Sequence, residues 1–216
     1  MRAPLVLAGL LIVRALAAHS SLAQAAVTID RIAVVVNRHA IKASDVDRDL
    51  RLTAFLNQEL LKTDSASRRA AANRLVDQEI IRNSLASGGY TRATDADAAK
   101  LMAQIRRDRF GNSDERLQQG LARYRLTEDQ LRAQLLWQLT VLRFIDQRFR
   151  GGILVSDDEV RDYYTQHRAQ FRGTLESETE NIRNTLEGEQ VNQQFEAWLD
   201  DARKRATVQF HEQAFE

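Results

Sequence analysis

"IDRIAVVVNRHAIKASDVDRD", residues 29–49, decides how the rest of the chain is read. Ile32 to Val36 is near-continuously apolar and β-branched, the pattern of a strand buried on both faces. A tight turn that takes in His39 follows. A few extended residues follow, and then a helix start with Ser44 as N-cap and Asp47 three positions later. Nearly everything downstream has helical periodicity, so this strand needs a distant partner: an unpaired apolar strand is an aggregation hazard. The strongest candidate is "RATVQFHE", Arg205 to Glu212, where Val208 and Phe210 alternate with Thr207 and Gln209. The expectation is that Ile32–Val36 pairs with Ala206–Phe210. The first strand would lie inside and the last nearer an edge.

Between these strands the helix starts carry their own mechanism. Thr94 with Asp97, Thr127 with Gln130, and Ser156 with Glu159 each place a capping oxygen three residues before an acid or amide. Leu126 with Leu131 and Val155 with Val160 fit the hydrophobic staple that fixes chain entry into a helix. Gly88-Gly89 and Gly151-Gly152 read as stops. The predicted helices span 44–58, 65–87, 95–109, 113–124, 127–150, 156–171 and 175–205. The only proline is Pro4, so long helices run unbroken. In 127–150, Leu131, Leu135, Leu139 and Leu142 form a stripe that Leu136, Trp137, Val141, Phe144 and Ile145 widen to most of the circumference. That breadth predicts a central, buried helix. The fold class is mainly α, a multi-helix domain with a small β element made by the N- and C-terminal strands.

Residues 1–25 are set apart from that fold. Arg2 precedes the apolar run Pro4–Val13, and "LAQA", Leu22 to Ala25, has the small-x-small form of a signal-peptidase site. This predicts a cleaved export signal, with Ala26 as the mature N-terminus. The run is too short to span a bilayer, which needs about 20 residues, so stable membrane insertion is not expected. Two of the 31 Lys and Arg lie in 1–25 with no acid beside them. The remaining chain therefore carries one more acidic than basic side chain, against 30 Asp and Glu in all. Without a basic surplus, nucleic acid is not an expected partner. There is no cysteine, and a chain of this size needs no disulfide to build a core.

Residues that could carry chemistry mostly have simpler roles. Asp45, Asp47 and Asp49 imitate the opening of a calcium loop, but Leu50 stands where its glycine should be and Leu56 where its glutamate should be. Acids in a first helical turn suit the helix dipole instead. Asp157, Asp158 and Glu159 are explained by capping. His19, His39, His167 and His211 have no metal-ligand spacing among them. No cofactor or metal is implied, and no catalytic residue. The aromatic stripes read first as core. Their functional reading is a groove for apolar peptide, with Met102, Ile105, Phe110, Tyr124, Trp137, Phe144 and Phe149 as candidate binding residues.

Three stretches resemble the SurA-like family of periplasmic chaperones. "IDRIAVVVNRHAIKASDVDRDL" (29–50) is similar to that family's opening strand, turn and helix start. "LVDQEIIRNSLASGGYTRATDADAAKLMAQI" (75–105) is similar to its next helical unit. "LVSDDEVRDYYTQHRAQF" (154–171) is similar to the helix that leads into a parvulin isomerase domain in many members. Here Phe171 is followed almost at once by "LESETENIRNTLEGEQVNQQFEAWLDDARKRATVQF" (175–210), which resembles the helix and strand that follow the parvulin domain in those members. The resemblance therefore implies the chaperone module without the isomerase: 1–25 as signal, 26–172 as strand and helical body, and 173–216 as returning helix and last strand of one domain. It implies a periplasmic holdase for unfolded clients, chiefly outer-membrane proteins, and is compatible with a homodimer. Two alternatives stay open: an assembly subunit with one dedicated protein partner, and a peptidyl-prolyl isomerase.

Overall fold

The computed structural model describes residues 30–216. The expected signal segment and its cleavage site lie outside them. Three strands form one antiparallel sheet: β1 (Ile32–Val36), β2 (His39–Lys42) and β3 (Val208–Phe210), in the order β2-β1-β3. Val34 stands opposite Phe210 and Val36 opposite Val208, so the two distant β segments pair as expected, with β1 in the middle. Ala33, Val34 and Val36 have no exposed surface. Successive side chains of a strand point to opposite faces, so β1 is covered on both.

β2 is an addition to the expected sheet. His39–Lys42 contains one large apolar residue, Ile41, and too little β propensity to stand out. The turn creates the strand: Asn37 takes the left-handed conformation at φ 53°, which folds His39 back onto Val36. A register shift between Ile32 and Val34 marks a bulge in β1, as is common where a strand twists into its neighbour.

Among the described residues the α-helices are α1 (Ala43–Asn57), α2 (Ser65–Ser87), α3 (Asp95–Phe110), α4 (Asp114–Arg123), α5 (Glu128–Phe149), α6 (Asp157–Gln166) and α7 (Leu175–Arg205). The capping boxes at Thr94/Asp97, Thr127/Gln130 and Ser156/Glu159 form as expected. The expected Ser44/Asp47 cap does not. α1 begins two residues earlier, and the Lys42 N–H is met by Asp45 Oδ2 at 3.0 Å. Ser44 turns instead to Asp30, donating both its N–H and its hydroxyl to that carboxylate. The hairpin forces this shift, because β2 runs into α1 without a linker. α6 also stops short of the expected 171. At His167 the chain leaves the helix through a 3-10 turn, Arg168–Gln170, so that Phe171 can fold back and stack on Tyr164 at 5.4 Å. α2 ends at Gly88 and α5 just before Gly151, as expected, though without a positive φ at either glycine pair; the left-handed glycine is Gly111, φ 57°, after α3.

The interior is built in adjoining clusters. The sheet, α1, α2 and the last residues form one, with Phe215 at 1 % exposure among its largest members. The end of α1 with α3, α4 and the start of α5 forms a second. Phe144, Phe149 and Trp198 centre an aromatic third cluster between α2, α5 and α7. α6 and the start of α7 enclose a fourth around Val155, Val160 and Ile182. Trp198 and Leu199 of α7 touch both the first and the third cluster. α7 thus ties the sheet to the helical body. No helix among the described residues is long and apolar enough to cross a membrane.

Candidate functional site

α5 is not buried all round, as the breadth of its apolar pattern predicted. Leu131, Leu135, Thr140, Phe144 and Phe149 are buried. Leu136, Trp137, Leu139, Val141 and Ile145 stay partly open, and Leu142, on the same stripe as the buried Leu131 and Leu135 but nearer the helix's C-terminal end, is 62 % exposed. Part of the apolar excess is thus left incompletely covered by the described residues, and Leu142 is its most open member.

Three concavities border α5. The largest, about 540 Å³, lies among α1, α2, α5 and α7. Its apolar floor is Ile81, Trp137, Val141, Leu142, Phe195 and Leu199. A second, about 480 Å³, opens between α5 and α7 and includes Leu139, Leu142, Ile145 and Val191. A third, about 440 Å³, lies between α2 and α5 around Leu85, Leu136 and Trp137. Trp137 is a wall shared by the first and third, and Leu142 by the first and second. The result is one interrupted apolar track along α5.

The rim of the largest concavity is polar and organised. Asp49, at 6 % exposure, pairs with Arg74 at 2.5 Å, and Gln78 Nε2 reaches it at 3.5 Å. Burial pushes the Asp49 carboxyl above its ordinary pKa, and the Arg74 guanidinium partly offsets that. Asp77 shifts upward for the same reason, with Arg203 beside it at 2.7 Å working against the shift. Arg82 lies over the Trp137 indole at 4.5 Å and within 3.7 Å of the buried Glu79, which His39 approaches at 3.8 Å. The cation–π contact fixes the indole plane against the groove. Gln134 and Gln138 complete the rim.

The seven candidate binding residues divide. Met102 and Ile105 are buried in the second cluster. Phe110 and Tyr124 flank it, with Phe110 stacked on Phe55 at 6.1 Å and the Tyr124 hydroxyl donating to the Glu59 carbonyl at 2.9 Å. Phe144 and Phe149 are buried in the aromatic cluster. These six hold the core or its margin, and only Trp137 stands in the track. Helical periodicity reports which face is apolar; it does not report whether another helix covers it. Leu142, Phe195, Leu199 and the polar rim escape sequence reasoning for that reason. The one usable signal is that α5 carries more apolar surface than a single packed face requires.

Asp45, Asp47 and Asp49 also find separate partners, in Arg48, Arg68 and Arg74. Among the described residues no three metal-capable side chains gather. No family model matches the chain, and no curated protein matches it either.

Proposed function

We propose that this chain is a SurA-type periplasmic chaperone that holds unfolded polypeptides, with outer-membrane proteins as its clients, and that it works by binding alone. The observation that carries this reading is the incompletely covered apolar surface of α5, where Trp137 and Leu142 link three concavities. Apolar side chains of a client leave water on that floor, at about 25 cal/mol per Å² buried. The ion-paired rim keeps the empty groove soluble. An extended client loses chain entropy on binding, so affinity is moderate and specificity loose. Isomerase activity is not part of the proposal. Only Phe171 to Thr174 separate the turn after α6 from α7, which leaves no room there for a further domain.

Light scattering of several unrelated denatured clients, with the full chain at equimolar ratio, tests it. Aggregation should be suppressed for all of them, and a proline-containing peptide should isomerise no faster than its uncatalysed rate of tens of seconds or more. Suppression of none would favour the dedicated-partner reading, and clear catalysis the isomerase.

A further inference from the structure

The fourth cluster stands apart from the other three. α6 packs on α7, and Ile153 is the apolar residue that this cluster shares with the aromatic one. The chain crosses between the two clusters twice, and each crossing carries glycine. On the way out, Phe149 belongs to the aromatic cluster and Val155 to the fourth, with Gly151 and Gly152 between them. On the way back, Leu186 belongs to the fourth and Val191 to the aromatic one, with Gly188 between them. None of these three glycines has a positive φ, and nothing stands within 4 Å of where a Cβ would lie. Neither a turn nor close packing therefore calls for glycine there, and inside α7 it costs stability relative to alanine. The crossings are also neighbours in space. Arg150 Nη1 donates to Glu187 Oε2 at 3.4 Å, and Arg150 and Gly188 both line the concavity between α5 and α7. An ion pair this exposed holds little, so it marks the junction without locking it.

We infer that residues 153–187 form an arm hinged at Gly151-Gly152 and at Gly188, and that its swing opens and closes the concavity between α5 and α7. Hinges are a few residues at the boundary of a rigid unit that absorb its change in φ and ψ, and glycine has the widest range of both. Two crossings lie side by side, so both must give before the arm can move as one piece. The arm itself is braced. Val155, Val160 and Ile182 are buried in its core, Tyr164 stacks on Phe171 at 5.4 Å, and Arg183 ties α7 to Asp157 at the start of α6 at 2.7 Å. The hinge itself does not depend on the proposed chaperone role; under that role, the swing admits client to the α5–α7 end of the track.

Double electron–electron resonance on the full chain tests the hinge. The chain has no cysteine, so introduced ones alone carry the spin labels. Asn83→Cys on α2 with Asp162→Cys on α6 measures arm against body, and Asn83→Cys with Lys100→Cys on α3 measures the body alone; all three positions are exposed. The arm–body distance distribution should be clearly the broader of the two. In the Gly151→Ala/Gly152→Ala/Gly188→Ala variant, which no neighbouring atom opposes, it should narrow to the width of the body pair. Gating of the concavity is read from alkylation of Val191→Cys, a buried position that lines it. Val76→Cys, buried in the sheet cluster, reports opening of the whole fold. The ratio of the two alkylation rates should fall by about tenfold in the triple variant, since each alanine narrows the backbone freedom that bending uses. An arm–body distribution no broader than the body's, or one that the alanines leave unchanged, would overturn the hinge. An unchanged ratio of rates would overturn the gating. Neither measurement contains a client, so failure here leaves the chaperone proposal standing, and failure of clients to bind leaves the hinge standing.

Discussion

Asn37 and Thr207 hold each other across 170 residues of chain: the Thr207 N–H donates to Asn37 Oδ1 at 2.9 Å, and the Asn37 N–H donates to the Thr207 carbonyl at 2.7 Å. Asn37 therefore does two jobs. Its left-handed φ of 53° makes the β1–β2 turn, and its side chain anchors the entry to β3. Asn37→Gly keeps the backbone geometry and loses the anchor, costing about 1 kcal/mol. Asn37→Ala loses the anchor and adds left-handed strain of roughly 1–2 kcal/mol. Urea unfolding should place alanine below glycine, the reverse of their order at an ordinary strand site.

Phe215 is the second clasp. It lies beyond the last strand, buried among Ala33, Val34 and their neighbours. Phe215→Ala should cost about 3–5 kcal/mol, as large aromatic truncations in cores do. Deleting 206–216 should go further and leave one edge of β1 unpaired. That variant should melt lower and aggregate, and the amide of Val35, which lies opposite Gln209 in the intact sheet, should lose hydrogen-exchange protection. A truncated chain that melts like the full one would sink the account of the sheet.

The Asp49–Arg74 pair predicts a pH dependence of definite sign. Burial raises the folded-state pKa of Asp49 above the ordinary 3.8. The stability linked to its protonation is thus present in full below that value and lost as pH rises through the folded pKa. Arg74→Met strands the carboxylate and should cost about 2 kcal/mol at neutral pH, less than the roughly 3–5 kcal/mol of a wholly buried pair, because the Arg74 side chain is 41 % exposed. The deficit should shrink as pH falls toward the ordinary carboxylate value. Asp49→Asn should be close to neutral at pH 7. Denaturation midpoints measured from pH 4 to 8 check all three.

Two glycines should respond oppositely to alanine. Gly188 lies inside α7 with nothing within 4 Å of where a Cβ would stand, so Gly188→Ala should stabilise by about 0.5–1 kcal/mol. Gly111 ends α3 at φ 57°, and Gly111→Ala should destabilise by roughly 1 kcal/mol. Thermal melts of the two variants measure the difference.

Leu142→Asp separates function from folding. An exposed site away from caps and core contributes within about 0.5 kcal/mol, so the melting temperature should hardly move. A charge placed where two concavities join should nonetheless reduce the suppression of client aggregation. A variant that folds and still holds clients like the unmodified chain would remove α5 from the proposed role.

The sheet is legible in the sequence because its two long-range partners carry opposite versions of one signal: β1 apolar throughout, β3 alternating. Caps at Thr94, Thr127 and Ser156 are legible because they are local chemistry. Ser44 misleads because two cap patterns overlap in Lys42–Asp47, and the hairpin upstream selects between them. β2 is faint because its pairing is imposed by the φ of Asn37 and not by its own residues. Phe215 gives no signal because a lone aromatic after a strand has no period. The track on α5 is hidden for the deepest reason: burial belongs to the arrangement of helices, and Leu135 and Leu142 look alike until a neighbour covers one of them.

The sheet also imposes an order of events on synthesis. β1 and β2 leave the ribosome early, and β1 then waits for a strand encoded some 170 residues later. During that interval the Ala33 carbonyl, which accepts from the His211 N–H in the finished fold, has no partner on that edge. The intervening helices, rich in short-range contacts, can form first, but they cannot close the edge. Final assembly is therefore set by delivery of the chain's far end along α7. A protein proposed to shelter unfinished chains would spend its own biogenesis with an open strand.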